Sequence, residues 1–138
     1  MSARYRTEAI NTECGDGTSR IIDGLEVAVS SPLAADFDPT ASNPEQLLAL
    51  AWVCLNATAQ AIVRGERRTT VRVEVELHPV DSGPGYEFHV DGYLSAEGLS
   101  DAETADLVAA AHARCPVSKL IGGAATVHAH AEAYVGSH

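Results

Sequence analysis

Residues 43–79 read NPEQLLALAWVCLNATAQAIVRGERRTTVRVEVELHP, a helix followed at once by a strand. Ser42-Asn43-Pro44-Glu45 fits a capping box, in which the serine caps the first turn and the glutamate reaches back to its N–H. From Leu47 to Leu55 the helix is apolar all round, which reads as burial on every side. It turns polar from Gln60 and ends near Arg64-Gly65. The strand follows, with Val71, Val73, Val75 and Leu77 on one face and Arg72, Glu74, Glu76 and His78 on the other. A chain of 138 residues can hardly surround an all-apolar helix by itself, so a partner subunit is expected.

Working outward, Tyr5 to Asn11 and Thr18 to Ile22 read as strands joined by a turn at Gly15-Asp16-Gly17. A turn at Asp23-Gly24 leads to a third strand, Leu25 to Val29, and Ser31 to Ala41 is a loop. Beyond the central strand, Ser82-Gly83-Pro84-Gly85 makes a turn and Tyr86 to Leu94 returns. A second helix follows Ser100, where Ser100-Asp101-Ala102-Glu103 is again a capping box. It should bend or restart at Cys115-Pro116, because proline disfavours helical geometry in the residue before it. Gly122-Gly123 stops it, and Thr126 to Tyr134 is a final alternating strand. The order predicts an α+β fold in one domain, residues 1–138, with a mostly antiparallel sheet.

Composition narrows the function. The chain is 46% apolar with a formal net charge of −10 and a single lysine, Lys119. Nucleic acid and anionic membranes are unfavourable partners for such a surface, since phosphate binding needs a cationic face. The N-terminus lacks a signal-peptide run and no stretch is expected to reach membrane-spanning length, which points to the cytoplasm. Three widely spaced cysteines in a reducing compartment are packing residues, metal ligands or redox centres. Cys54 shares a helix face with Leu47, Ala51 and Thr58. Cys115 lies at the N-cap of the turn that begins with Pro116, where the helix dipole favours thiolate. Taken alone, either could be a small apolar core residue.

Two motifs add to this. Asn43-Pro44-Glu45-Gln46-Leu47 followed by a helical cysteine, and Ala111-His112-Ala113-Arg114-Cys115-Pro116-Val117-Ser118-Lys119, resemble the two signatures of the OsmC/Ohr family of organic-hydroperoxide-resistance and osmotically inducible proteins. Element order and length resemble the family as well. The resemblance implies an intertwined homodimer with antiparallel sheets around two central helices and sites at the subunit interface. It also implies a thiol-dependent peroxidase for organic (lipid or alkyl) hydroperoxides. Cys54 would become a sulfenic acid, Cys115 would condense with it to a disulfide, and a dithiol such as a lipoyl protein would reduce that disulfide. Neither metal nor organic cofactor is implied.

This sequence departs from the family pattern in three ways. The family has one more residue between the glutamate and the cysteine. Nine helical steps set Glu45 and Cys54 about 180° apart, and an ungapped count puts Leu55 in the reactive place. A reset helix start or a bulge would absorb the difference; otherwise Cys54 is misaimed. The family arginine, oriented by the residue corresponding to Glu45, is absent: one branch carries it where this chain has Gly15, the other in the loop before the first motif. Arg20 is the nearest substitute, or else a solvated strand arginine. Cys14 sits beside the missing arginine's place, as an exposed turn thiol or an additional redox centre.

His128, His130 and Glu132 share one face of the last strand, either as a polar outer face or as transition-metal ligands. His112 lines the site or is a satisfied helical histidine, and Trp52 is core or dimer interface. The alternative function is a catalytically impaired dimer that binds a small apolar ligand or senses redox state.

Overall fold

The computed structural model describes residues 2–12 and 17–136. Cys14 and the turn at Gly15-Asp16 lie outside the described residues. The fold is α+β, with two three-stranded sheets and four helices. The chain forms two compact units, residues 1–47 and 48–138.

The first unit is a meander of β1 (Ala9–Asn11), β2 (Gly17–Ile21) and β3 (Glu26–Val29), antiparallel throughout. The turn at Asp23-Gly24 forms as expected: Asp23 takes a positive φ of 61° and the Gly24 N–H bonds the Ile21 carbonyl at 3.0 Å. The loop that follows folds back so that the Ser42 N–H bonds the Ala28 carbonyl at 2.8 Å, within a short parallel bridge to Val29. That bond corrects the first capping box. With the Ser42 N–H already taken, the cap moves one residue on, and Asn43 Oδ1 accepts from the Gln46 N–H at 2.9 Å. The helix α1 (Pro44–Trp52) then starts with proline, which supplies the right φ and gives up no needed donor.

The second unit holds α2 (Leu55–Val63), β4 (Thr69–Pro79), β5 (Tyr86–Ala96), α3 (Asp101–Arg114), α4 (Pro116–Ile121) and β6 (Val127–Ala131). β4 and β5 pair antiparallel over eleven residues each, in register from Thr69↔Ala96 to Pro79↔Tyr86. The described strands pair mostly antiparallel, as expected; β6, which pairs parallel to β5, is the exception. The reason is the connection: α3 and α4 carry the chain back along the sheet before β6 begins, which is the crossover a parallel pair requires. The second capping box is present in full, with Ser100 Oγ accepting from the Glu103 N–H at 3.1 Å and Glu103 Oε1 from the Ser100 N–H at 3.0 Å. The break at Cys115-Pro116 also falls where proline dictates.

Between sheet and helices lies the core, where Val90, Leu94 and Ala96 meet Trp52, Leu55, Ala59, Leu107, Val108, Ala111 and Cys115. Each large side chain contributes about 1.5–3 kcal/mol by leaving water. The opposite face of the sheet is a polar network. Arg72 pairs with Glu132 at 2.8 Å and with Glu74, and lies 4.0 Å over the Tyr93 ring. His130 bonds Asp91 at 2.7 Å and stacks on Tyr93.

Residues Pro44–Val63 have the length and hydropathy of a membrane span, contrary to the expectation that no stretch reaches it. Within this stretch the helix breaks at Cys54, and Trp52, Leu55 and Ala59 are buried in the protein core. Burial on every side is not met within one chain: Leu50 is 67% exposed and Val53 36%.

Gly92 on β5 exists for the tryptophan. A Cβ there would lie 2.8 Å from the Trp52 ring, inside van der Waals contact. Gly92→Ala should therefore destabilise the protein by about 1–3 kcal/mol through overpacking. Urea denaturation followed by the fluorescence of Trp52, the chain's single tryptophan, measures it.

Candidate active site

Cys54 enters the site through a change of helical pitch. Around it the backbone bonds shorten from four residues to three: Cys54 N–H to the Ala51 carbonyl at 3.5 Å, Asn56 to Val53 at 3.0 Å and Ala57 to Cys54 at 3.0 Å. Its own φ and ψ of −60° and −16° are those of a 3₁₀ turn. Such a turn advances about 120° per residue instead of 100°. The expected bulge is thus replaced by its opposite, an overwound turn, and the helix start is reset at Asn43. Leu55, the residue an ungapped count sets in the reactive place, is fully buried in the core.

Cys115 comes from the other side, at the N-cap of α4, with extended φ and ψ of −64° and 126°. The two sulfurs lie 3.7 Å apart. Cys54 is exposed and Cys115 fully buried. Burial and the neighbouring Cys115 push the Cys54 thiol above the ordinary cysteine value, while the Val117 N–H acts in the opposite direction. Burial also pushes Cys115 up, but the Ser118 N–H and hydroxyl, the Cys54 thiol and the Val117 N–H outweigh it and leave Cys115 below the ordinary value. Of the two thiols Cys115 is thus the more acidic, and either sulfur can be the donor of the contact between them.

Trp52 and Ser118 frame the pair. The indole Nε1–H donates to Ser118 Oγ at 2.9 Å, both residues being buried. Sequence reasoning took Trp52 for core or interface and quoted Ser118 only as part of a motif. The available signal was position: Ser118 is the third residue of a helix capped by Cys115, so it must lie on the cysteine's side of the first turn.

Glu45 lies in the first unit; its Oε2 is buried and has no hydrogen-bond partner among the described residues. Arg20 lies on β2, exposed, beside an apolar recess of about 170 Å³ that includes Ile21, Leu25 and Leu47. Among the described residues Arg20 forms no ion pair, so Glu45 and Arg20 do not meet. His112 Nδ1 is buried without a partner among the described residues, and its ring lies 6.1 Å from that of Trp52. In the second unit an apolar cavity of about 270 Å³ is lined by Leu48, Phe88, Val90, Leu120, Ile121 and Val127.

Residues 37–130 match the family described as OsmC-like protein. The chain is 34% identical over 110 residues to the organic hydroperoxide resistance protein OhrA of Bacillus subtilis, covering 77% of each chain. It is 29% identical over 129 residues to an organic hydroperoxide resistance protein-like sequence of Mycoplasma pneumoniae, covering 88% of this chain and 89% of that one. The crystal structure of the organic hydroperoxide resistance protein OhrB of B. subtilis superposes with a TM-score of 0.81 at 26% identity, over 96% of this chain and all of that one.

The coupled thiols should titrate in two steps, one proton leaving below the ordinary cysteine range and the second above it. Thiolate absorbance near 240 nm reads both steps, and Cys115→Ser should remove the lower one.

Proposed function

This chain belongs to the OsmC-like protein family, and we propose that it is a thiol-dependent peroxidase for organic hydroperoxides, with Cys54 and Cys115 as the redox pair. More coarsely, the family places it in organic hydroperoxide resistance or redox chemistry. The observation that carries the finer reading is the 3.7 Å between an exposed and a buried sulfur, close enough to pair after a small side-chain movement.

The chemistry follows from the shared proton. Reaction proceeds from the form in which the proton has crossed to Cys115 and Cys54 carries the charge. The Cys54 thiolate attacks the distal peroxide oxygen, the O–O bond breaks, and the departing alkoxide takes the proton from Cys115. This leaves a Cys54 sulfenic acid beside a Cys115 thiolate, which attacks the Cys54 sulfur and expels hydroxide, to be protonated to water. An external dithiol, such as a lipoyl group on a protein, returns both cysteines to the thiol state and is itself oxidised to a disulfide. The apolar cavity bounded by Phe88, Leu120 and Val127 suits the alkyl part of such a substrate. Arg20 is proposed as the cation that favours the Cys54 thiolate, and Glu45 as the carboxylate that orients such a cation. The exposed apolar side chains of Leu50, Val53 and Leu120 support a homodimer, and the cycle suits a cytoplasmic protein without cofactor.

A second reading rests on the raised Cys54 pKa, which lowers the fraction of reactive thiolate. On that reading the protein is an impaired dimer that binds a small apolar ligand or senses redox state. Consumption of cumene hydroperoxide with dihydrolipoamide separates the two. Peroxidase activity should fall to background in Cys54→Ser, while Cys115→Ser should drive Cys54 on to sulfinic acid, seen by mass spectrometry. No consumption, with Cys54 still reduced, would leave the second reading standing.

A further inference from the structure

A polar cleft of about 650 Å³ opens in the second unit, where α2, the loop after it, the turn after β5 and the tail beyond β6 come together. Neither cysteine lines it, and most of its side chains form hydrogen bonds. Its volume lies within the range of small-molecule sites, roughly 300–1,000 Å³. One wall is a chain of fixed bonds. Gln60 Nε2 donates to the Arg67 carbonyl at 3.0 Å and to Thr69 Oγ1 at 2.6 Å, which spends both of its amide hydrogens. The Thr69 hydroxyl in turn donates to Asn56 Oδ1 at 2.7 Å. With its oxygen held by Thr69, Asn56 keeps an NH₂ group that nothing among the described residues accepts.

Two guanidiniums complete the cleft. Arg67 is half-buried and pinned, its Nη1 donating to the Glu97 carbonyl at 2.9 Å. Gly98, at a φ of 79°, makes room for it: a Cβ there would stand 3.2 Å from Nη1. The side chain of Arg68 has no hydrogen bond or ion pair among the described residues, while its backbone carbonyl holds the Glu97 N–H at 2.9 Å. Glu66 and Glu97 also line the cleft, both exposed, and among the described residues neither forms an ion pair with an arginine. The two forks therefore keep donors of the kind that a carboxylate or phosphate takes up in pairs.

We propose that this cleft binds a small hydroxylated metabolite through one anionic group, a carboxylate or a phosphate monoester. Arg67 and Arg68 hold the anion, and Asn56, Thr70 and Tyr134 meet the hydroxyls. The carboxylates of Glu66 and Glu97, in a chain of formal net charge −10, select a single anionic group over a polyanion. Polar walls likewise disfavour an alkyl chain, because each wall group it covered would lose water without gaining a partner. The site thus differs in ligand from the apolar cavity at Phe88 and Val127, and it does not depend on the cysteine pair.

The test uses the whole reduced protein in about 0.15 M salt, which screens loosely held surface charge. Sodium gluconate and glucose 6-phosphate are titrated in turn, and the arginine Nε–H and asparagine side-chain signals are followed by ¹H–¹⁵N NMR. At least one of the two should saturate in the millimolar range and shift Arg67, Arg68 and Asn56 together. Glucose, hexanoate and inositol hexakisphosphate, which lack the charge, lack the hydroxyls or carry too many charges, should each bind at least about tenfold more weakly. Arg67→Gln and Arg68→Gln should each weaken binding about tenfold, the worth of a charge-assisted hydrogen bond. Arg4→Gln, which removes the same charge from the first unit, should leave the affinity unchanged. Should Arg67→Gln fail to fold for want of its bond to Glu97, Arg68→Gln decides. No saturation by either probe up to about 20 mM overturns the proposal. So does tighter binding of the hexakisphosphate, or equal weakening in Arg4→Gln and Arg68→Gln.

Discussion

A buried indole N–H must find an acceptor, and in this protein the Ser118 hydroxyl is that acceptor. The bond ties the end of the first helix to the last short helix, across 66 positions of sequence. Leaving either partner unsatisfied would cost about 1–3 kcal/mol, a large fraction of a domain's net stability. The tryptophan seats itself against Gly92, so the sheet fixes the ring, the ring fixes the serine, and the serine fixes the turn that begins at Cys115. Cys54 lies two residues beyond Trp52 and Cys115 three residues before Ser118. The spacing of the two sulfurs is thus set by packing and one hydrogen bond, with no covalent link between them, an arrangement free to alternate between open and closed pairs.

Electrostatics divides the labour between those sulfurs. Both are penalised by burial, yet only Cys115 has donors around it sufficient to offset the penalty. A single negative charge shared by two thiols is a compromise, and it favours the buried partner with more hydrogen-bond donors around it over the exposed one. The outer face of the sheet follows a different rule. There Arg72, Glu132, Tyr93, Asp91 and His130 satisfy one another across strands and keep the acidic surface hydrated.

Much of this was readable from residue order, and the exceptions are instructive. The Ser100 capping box, the break at Cys115-Pro116 and the alternating β4 each depend on local chemistry, and each lies where the sequence puts it. The first helix cap did not, because a long-range bond from Ser42 to the Ala28 carbonyl claimed the N–H that the local motif required. Parallel pairing of β6 follows from a crossover that alternation alone cannot reveal. The site was half legible. Two motifs pointed to Cys54 and Cys115, whereas the ring and hydroxyl that hold them together belong to residues more than sixty positions apart. The roles of Glu45 and Arg20 rest on resemblance rather than on any contact between them.

The tightened turn at Cys54 bears on how such a chain can change its length. Losing one residue from an α-helix rotates everything beyond it by about 100°, enough to turn a buried face toward solvent. At Cys54 the switch from four-residue to three-residue hydrogen bonds adds rotation within a single turn, while Leu55 and Ala59 face the core. A helix junction of this kind works as a mechanical clutch, slipping locally so that the elements on either side stay engaged. Regular helix elsewhere has no such release, which makes the turn around Cys54 the place where this stretch can most readily gain or shed an amino acid.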